Sequence, residues 1–453
     1  MTDTPQRDRW LLVAAAGLAV FMATIDMSIV NVAMPAIQKD LDTEPTVTEW
    51  VAIGYFLPLI ALALPSGRWL DRVGKRAALG FAATGFGVAS VACGLSPTIE
   101  VLIGARVAQG LFGSVLFAMT PVLATLAVRP EVRGRALSVF ATLGPLGAVS
   151  GPAVGGLLIS GLGWQWIFYV NVPVCAAVVA LGMSQIAPDG PLRIPGRDWF
   201  AEAALLGAGT AALMLGLSFT ASEGLGWLAL SALAVPFVWI WARRPSSAAP
   251  LSLLRTPGVT GPLVSLLTMM TALAFVQYLA PFFLDQVLDR SAGTVAATVL
   301  AFPLAMGVCG PISGVLTDRW NPRLTMITGA TVATVGLLLL LPLDEGWQPA
   351  DVAWRLAVIG AGVGLFTAPN QTTLMSNAPK QMMATVGAGS SLIRQLGLSL
   401  GPALATLTWA LNDYRTSGMR IGLGVAVVAA LIAGVSAARR PRPAMETSHG
   451  VCR

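Results

Sequence analysis

The stretch SGRWLDRVGKR at residues 66–76 recurs as SGVLTDRWNPR at residues 313–323, which begins 247 residues further along the chain. The two stretches share Ser, Gly, Asp, Arg and a final Arg. Two weaker matches follow in the same order: Gly-Leu-Phe at 110–112 and 364–366, and Gly-Pro at 151–152 and 401–402. Short matches arise by chance in an apolar chain, so the first carries the weight. Their common order and spacing indicate two related halves.

The composition excludes a soluble protein. Of 453 residues, 55% are hydrophobic and only 11% are charged, and the mean hydropathy is +0.74. Soluble proteins carry about 25% charged residues, and so few charges cannot cover a soluble surface of this size. The net charge of +6 does not indicate nucleic-acid binding, because the basic residues lie in short loops between apolar stretches. The chain is therefore predicted to be an all-α polytopic membrane protein.

The cysteines give no sign of a disulfide framework, a metal site or a cofactor. Cys93, Cys175 and Cys309 lie in apolar stretches, and Cys452 lies in the tail. Their spacing fits neither paired bridges nor a zinc site. The bias towards arginine over lysine suggests a GC-rich bacterial genome.

Fourteen charge-poor stretches approach the roughly 20 residues that cross a bilayer. Their predicted limits are 11–34, 50–67, 77–95, 101–127, 136–160, 164–183, 199–219, 226–242, 258–284, 292–316, 324–342, 352–374, 383–411 and 418–437. Each half then holds six spans, with two extra spans between the halves. The predicted divisions are 1–183 and 258–437 for the two six-helix bundles, 184–257 for the extra spans and linkers, and 438–453 for the tail.

Lysine and arginine determine the expected orientation. The basic residues in one set of loops are only Lys39, Arg290, Arg355, Arg415 and Arg420. Arg106 and Arg394 lie inside spans, and the other basic residues of the 28 fall in the opposite set. We therefore expect both termini in the cytoplasm and the protein in a bacterial cytoplasmic membrane.

Five motifs in order make the chain resemble a fourteen-span drug:proton antiporter of the major facilitator superfamily. The loop motif is carried by Gly67, Trp69, Asp71, Arg72, Gly74, Lys75 and Arg76. The first-span motif is carried by Asp26, Ser28 and residues 30–35, and the fourth-span motif by Arg106, Gln109 and Gly110. The antiporter motif is carried by Gly147, Gly151, Pro152, Gly155 and Gly156, and GWQWIFYVNVPV at 163–174 resembles the sixth-span signature. The resemblance implies two six-helix bundles plus two extra helices, and proton-coupled export of hydrophobic or amphipathic drugs by a monomer.

Asp26 and Arg106 are the candidates for proton coupling. A carboxylate inside the bilayer costs about 2.5–3.5 kcal/mol, so such a group usually faces a cavity or a partner. Asp26 could alternatively be an acid near the outer interface that only helps to set the topology. Arginine stays protonated, so Arg106 would act on a neighbouring acid, or would only tie backbone carbonyls. Its expected counterpart in the second half is Gly360, which makes the halves chemically unequal.

The loop after span 2 is expected to form a conformational latch. Asp71 could pair with Arg133, with Arg135 or with the end of a facing helix. The resemblance assigns this role to Gly67, Asp71, Arg72, Gly74, Lys75 and Arg76, with Arg133 as a partner. In the second copy Asn321 replaces the motif's glycine, which suggests a degraded copy.

The fifth-span glycines with Pro152 can be explained as a packing groove, to which the resemblance adds the export direction. Polar residues within or near spans are tentative cavity residues: Asn31, Gln109, Asn370, Gln371, Arg394 and Gln395. In the extra spans Asp198, Glu202 and Glu223 lie near the predicted ends, and a spacer or lipid-facing role is the default.

The sequence disfavours two other functions and leaves two open. ATP-driven transport is disfavoured because no G-x-x-x-x-G-K-[ST] loop occurs. A membrane enzyme is disfavoured because the single histidine, His449, lies in the tail and no hydrolase motif occurs. A non-transporting sensor or scaffold, or an exporter of an endogenous lipid or secondary metabolite, stays possible.

Overall fold

The computed structural model describes residues 8–438 except Glu44, Glu49, Gly224, Arg255, Pro257, Leu411, Asp413 and Tyr414. Within these residues the chain is helical and contains no strand. Helices are expected because lipid offers no partner to an unpaired backbone group. In chain order the helices are α1 Trp10–Asp40, α2 Pro45–Thr48, α3 Trp50–Ala61, α4 Ala63–Leu70, α5 Lys75–Gly94, α6 Ile99–Ala127, α7 Arg133–Leu162, α8 Trp166–Tyr169, α9 Asn171–Gln185, α10 Arg197–Glu223, α11 Leu228–Ala232, α12 Ala234–Ala242, α13 Ala248–Leu253, α14 Thr260–Phe282, α15 Ala292–Val299, α16 Ala301–Arg319, α17 Pro322–Leu340, α18 Pro349–Ser376, α19 Met383–Ala410 and α20 Thr416–Ala438.

These helices are compatible with fourteen spans. Within the described residues, nine helical segments are long and apolar enough to cross a bilayer, and α3 with α4 forms a tenth that is bent by 47°. The bend lies where Pro65 cannot donate a hydrogen bond to the preceding turn. The remaining four expected spans coincide with α7, α10, α19 and the broken helix α11–α12.

The helices pack as two groups that meet along a central cavity: the first group is α1–α9 and the second is α14–α20. Helix α7 of the first group packs along α16 of the second, and α19 of the second packs against α4 and α6 of the first. We call the end of the bundle with Arg9, Arg72, Arg129 and Arg135 the basic face. The two groups are in contact there, since Gly67 lies against Ala384 and Ala388. This structure is therefore closed at the basic face.

The packing of glycines shows which residues correspond between the halves. A Cβ at Gly110 would lie 2.3 Å from the Tyr55 carbonyl oxygen, and one at Gly360 would lie 2.2 Å from that of Phe302. Gly360 therefore corresponds to Gly110, and the expectation that it corresponds to Arg106 is wrong. Four residues earlier, in the place of Arg106, the second half has Leu356.

The same comparison applies to the first helix of each half. Gly147 lies against the backbone nitrogen of Ile25, and Gly397 lies against that of Thr271. The residue after Ile25 is Asp26, and the residue after Thr271 is Ala272. Ala272 is thus the counterpart of Asp26, and the two candidate coupling residues have only apolar counterparts.

The extra helices are attached to both groups. Helix α10 packs against α3 and α4 of the first group and α19 of the second. The Glu202 carboxylate pairs with the Arg68 guanidinium of α4, and the Glu202 side chain is only 2% exposed. Glu202 lies in the second turn of α10, and its side chain faces the bundle. The default of a spacer or lipid-facing role is therefore wrong for this residue.

Candidate functional site

Asp26 and Arg106 form a buried ion pair inside the first group of helices. The Arg106 Nη1 donates to Asp26 Oδ2 at 2.6 Å, and the side chains are 1% and 0% exposed. The Arg106 Nε donates to the Val51 carbonyl oxygen at 2.9 Å. Its guanidinium lies 4.3 Å from the centre of the Tyr55 ring. Both expected roles of Arg106, partner of an acid and tie to a backbone carbonyl, occur together in this geometry.

Three further polar side chains complete the network around Asp26. Gln109 Nε2 donates to Asp26 Oδ1 at 3.1 Å, and Asn171 Nδ2 donates to the same oxygen at 2.8 Å. Gln109 Nε2 also donates to the Ser90 hydroxyl at 2.8 Å. The network thus connects α1, α3, α5, α6 and α9.

Sequence reasoning missed Asn171 and Ser90. Asn171 lies within the quoted stretch 163–174, where an amide after an aromatic run was an available signal. Ser90 gave no signal, because a lone serine in a helix usually bonds to its own backbone, and this one also donates to the Phe86 carbonyl oxygen. The structure therefore adds two residues to the candidate coupling site.

A cavity of about 290 Å³ lies between the two groups of helices. Its walls are mainly apolar, with Phe117 and Phe140 on the first side and Phe302 and Met306 on the second. Asp26 does not line it, although Thr24 and Met27 on the same helix do. The cavity and the ion pair therefore share α1 without sharing a surface.

Of the predicted cavity residues, some line the cavity, two lie elsewhere, and the side chain of one is not described. Gln371, Arg394 and Gln395 line the cavity. Gln109 belongs to the Asp26 network instead, and Asn370 is fully buried, with neither side-chain polar atom hydrogen-bonded to any residue that the structure describes. Asn31 lies on α1, but its side chain is outside the described residues.

At the basic face, Asp71 caps a helix of the opposite group. Its carboxylate accepts hydrogen bonds from the backbone N–H groups of Ala384 and Thr385, both at 2.9 Å, and from the Thr385 hydroxyl. These groups belong to the first turn of α19, where N–H groups lack intrahelical partners. The expected pairing with Arg133 or Arg135 is wrong, whereas the alternative of a facing helix end is confirmed.

Asp318 forms the same contact in the reverse direction. It accepts from the N–H groups of Gly134 and Arg135 at 2.7 and 3.1 Å, which belong to the first turn of α7. The Arg135 Nε lies 3.4 Å from its carboxylate. Within the described residues Arg133 pairs with no carboxylate. The second copy of the loop therefore keeps the capping function that its sequence appeared to have lost.

Asn321 explains the departure from the glycine motif. Its side-chain oxygen accepts the N–H of Arg323 at 2.9 Å and so caps α17. In the first half the matching helix α5 is capped from outside, because Asp189 accepts the N–H groups of Lys75 and Arg76. Gly74 must lack a side chain there, since a Cβ would lie 2.2 Å from the Gly190 carbonyl oxygen.

Burial of the Asp71 carboxylate opposes the stabilisation that its hydrogen bonds provide. Burial raises the pKa of the Asp71 carboxyl above its ordinary value, although the hydrogen bonds from Thr385 and Ala384 oppose the rise. Arg72 is exposed, and Lys75 donates to the carbonyl oxygens of Leu70 and Val73. The cap therefore joins the two groups at the basic face without an arginine partner.

The fifth-span glycines face α1 in part. Cβ atoms at Gly147 and Gly151 would lie 2.2 and 1.8 Å from the hydroxyl oxygens of Thr24 and Ser28, and one at Gly155 would lie 2.8 Å from Ile29. Gly156 has no neighbour within 4 Å, and the side chain of Pro152 is outside the described residues. Gly397 and Gly401 pack against α14 in the same way. Close packing explains three of the motif's glycines in the first half and their two glycine counterparts in the second.

Comparison with known proteins places this arrangement in a family. The family profile described as Major Facilitator Superfamily matches residues 16–402. The chain is 29% identical over 446 residues to the uncharacterized transporter YebQ of Escherichia coli, covering 97% of each chain. It is 31% identical over 425 residues to the putative multidrug resistance protein MdtD of Cronobacter sakazakii, covering 90% of this chain and 87% of the other.

Among solved structures, the chain is similar to the proton:xylose symporter XylE. The TM-score is 0.68 at 13% identity, over 94% of each chain. At this identity the likeness concerns the fold. With two packed helix groups, a central cavity and two helix caps at one face, the chain belongs to the major facilitator superfamily of membrane transporters, in a group related to drug-efflux proteins.

Proposed function

We propose that this transporter exports amphipathic drugs from the cytoplasm in exchange for protons, as a monomer in a bacterial cytoplasmic membrane with both termini inside. The supporting observation is the buried Asp26–Arg106 network, which only one half contains. The second half packs equally closely with Ala272 and Leu356 in those places. The fold therefore does not require the ion pair, and a buried pair is a poor source of stability.

Proton uptake at Asp26 would act on the helices through Arg106. A proton on the carboxylate removes the charge that Arg106 Nη1 contacts at 2.6 Å, so the guanidinium must find another acceptor. Its other contacts are the Val51 carbonyl oxygen and Gln109 Oε1. A shift of α1 relative to α6 follows from this change of partners.

Helix α1 transmits such a shift in two directions. Thr24 and Met27 on α1 line the cavity, so their movement changes the binding surface. The glycines of α7 pack against the other side of α1, and the first turn of α7 is held by Asp318. A proton at Asp26 can thus alter both the cavity and one of the caps that close the basic face.

Alternating access then consists of breaking and reforming both caps. With the basic face in the cytoplasm, this structure corresponds to the state that is closed to the cytoplasm. In this state the drug leaves to the outside, and Asp26 takes up a proton from the outside. Release of the proton inside would restore the ion pair after the basic face has opened and drug has entered.

The test is transport in proteoliposomes with a defined pH gradient. Asp26→Asn is compared with wild type and with Asp40→Asn, which removes a carboxylate at the end of the same helix that accepts from Trp164 Nε1 at 2.7 Å. We expect Asp26→Asn to lose gradient-driven accumulation while it retains drug-for-drug exchange without a gradient. Gradient-driven accumulation that survives in Asp26→Asn would refute the assignment, and absence of transport by wild type under every gradient would favour a sensor.

A further inference from the structure

The cavity contains one ionisable residue, and it is a cation. Of the described residues that line it, only Arg394 carries a charge, and none is Asp or Glu. Arginine remains protonated in proteins. The cavity is therefore positively charged at every physiological pH.

Arg394 is half-buried in its span and, unlike Arg106 and Arg68, has no partner among the described residues. Arg106 pairs with Asp26, and Arg68 pairs with Glu202. In the part of the chain that the structure describes, no hydrogen bond or ion pair joins Arg394 to another residue. A guanidinium within a membrane span is costly unless an anion or water satisfies it. Its five donors are thus available to a molecule in the cavity.

The first half has no side chain in the cavity at the position that corresponds to Arg394. Packing of Gly397 and Gly147 makes Gly144 the counterpart of Arg394, and both residues line the cavity. The nearest atom to a Cβ at Gly144 would be 3.9 Å away. A single long side chain therefore extends into a cavity whose opposite wall is bare at the matching position.

The remaining walls indicate the rest of the ligand. Aromatic and thioether side chains supply large apolar surfaces, among them Phe117, Phe140 and Met270. Gln371 adds a buried amide oxygen that has no hydrogen-bond partner among the described residues. Such walls suit a flat apolar body that carries a donor near its charged group.

We propose that the cavity binds amphipathic organic anions, in which a carboxylate, sulfonate or phenolate pairs with Arg394 and an aromatic body packs on the apolar walls. This inference rests on the proposed function, because it takes this cavity as the transport site. Lipophilic cations, the usual dyes for efflux assays, are poor ligands by this argument, since the guanidinium repels them and no carboxylate lines the cavity.

Three probes with one aromatic body test the charge preference: pyrenebutyrate, pyrenebutanol and pyrenebutyl-trimethylammonium. Binding to the purified full chain is measured by energy transfer from tryptophan, and the signal from empty micelles is subtracted. A charge-assisted hydrogen-bonded pair corresponds to about 10- to 100-fold in affinity. We expect wild type to bind the anion at least 10-fold more tightly than the alcohol, and the cation most weakly.

Substitutions assign the preference to Arg394. Arg394→Gln should weaken binding of the anion by about 10- to 100-fold and leave binding of the alcohol unchanged. Arg394→Lys should restore part of the affinity for the anion. Arg355→Gln is the matched control, because Arg355 lies outside the cavity and donates to the Leu339 carbonyl oxygen. Equal binding of anion and cation by wild type, or an anion preference that persists in Arg394→Gln, would overturn the proposal.

Transport of the same probes separates this proposal from the proposed function. Anion binding that depends on Arg394, without gradient-driven transport, would refute export and leave the ligand class intact. Gradient-driven transport of the cation that is unaffected by Arg394→Gln would support export and refute the ligand class.

Discussion

Replacing Asp318 with alanine should open the basic face without affecting either half. The substitution removes the acceptor of two N–H groups, those of Gly134 and Arg135 at 2.7 and 3.1 Å, and of one ion pair at 3.4 Å. These contacts join α16 to α7 across the boundary between the helix groups. Because these contacts bridge the two groups, opening of the face has to break them, so their loss should destabilise the closed state relative to the open one.

The expected shift follows from these contacts. Loss of a helix N-cap costs about 0.5–2 kcal/mol, and hydrogen bonds to a charged group contribute about 1.5–3 kcal/mol. Because water satisfies the N–H groups once the face opens, we take about 2 kcal/mol, which is about 30-fold in the open fraction. Asp71→Ala removes a matching cap and should shift the equilibrium equally. The two caps contact different helices, so the double variant should shift it by about 4 kcal/mol.

Thiol labelling measures the open fraction. Ser391 lines the cavity, and in a background without native cysteines Ser391→Cys reacts with an impermeant maleimide applied from the basic face only when that face is open. While the open fraction is small, the labelling rate should rise about 30-fold in each single variant. Asp344→Ala is the control, since Asp344 accepts the Gly346 N–H at 2.7 Å within one loop.

Unchanged labelling in both single variants would refute the idea that the caps hold the face closed. A double variant that labels no faster than the single variants would show that loss of either cap already opens the face, and would refute independent contributions of the two caps.

Three further predictions concern packing and buried charge. Asp26→Ala leaves a buried guanidinium without its carboxylate and should cost about 3–5 kcal/mol, whereas adding Arg106→Leu, which restores the pairing found in the second half, should recover most of that loss in thermal unfolding. Gly151→Ala places a methyl group against α1 and should destabilise by about 1–3 kcal/mol, while Gly156→Ala in the same motif should be neutral in unfolding and transport. Glu202→Gln removes the charge partner of an arginine on α4, and should lower the unfolding midpoint and expose the linker before α10 to proteolysis.

Each of these predictions has a contradictory result. A double variant at the ion pair that unfolds below both single variants would show that the network stabilises the fold through its neighbours. Equal effects of alanine at the two glycines would exclude close packing as the reason for the motif. Unchanged proteolysis after Glu202→Gln would mean that apolar contacts alone hold α10 in place.

The helices were largely predictable because lipid imposes both their type and their length. Most predicted limits lie within four residues of the observed ends; α1 extends further, to Asp40. Asp26 and Arg106 were recognisable for the same reason, since each is a charge in an apolar stretch. That they meet at 2.6 Å was not predictable, because nothing in either span specifies how α1 and α6 are rotated against each other.

The caps could not be found from side-chain identity. Asp71 contacts backbone N–H groups more than 300 residues away, and every helix start presents such groups whatever its sequence. The assignment of Gly360 as the counterpart of Arg106 was wrong because it rested on a short Gly-Leu-Phe match. The packing shows the true correspondence, since Gly360 lies against Phe302 as Gly110 lies against Tyr55. Glu202 was misjudged because an acid near a span end can face either water or a neighbouring helix.

The single carboxylate at Asp26, with Ala272 in the matching place, determines the electrical character of the proposed cycle. With one titrating carboxylate the proposed cycle would bring in one proton per turnover, and if an organic monoanion leaves, both movements would transfer positive charge inwards. Each elementary charge contributes about 2.3 kcal/mol per 100 mV, so the membrane potential would contribute about 4.6 kcal/mol per 100 mV. Exchange of a proton for a monovalent cation would be electroneutral and would stop when the pH difference vanished. A cell in alkaline surroundings could therefore still expel an anion through this protein, driven by voltage alone.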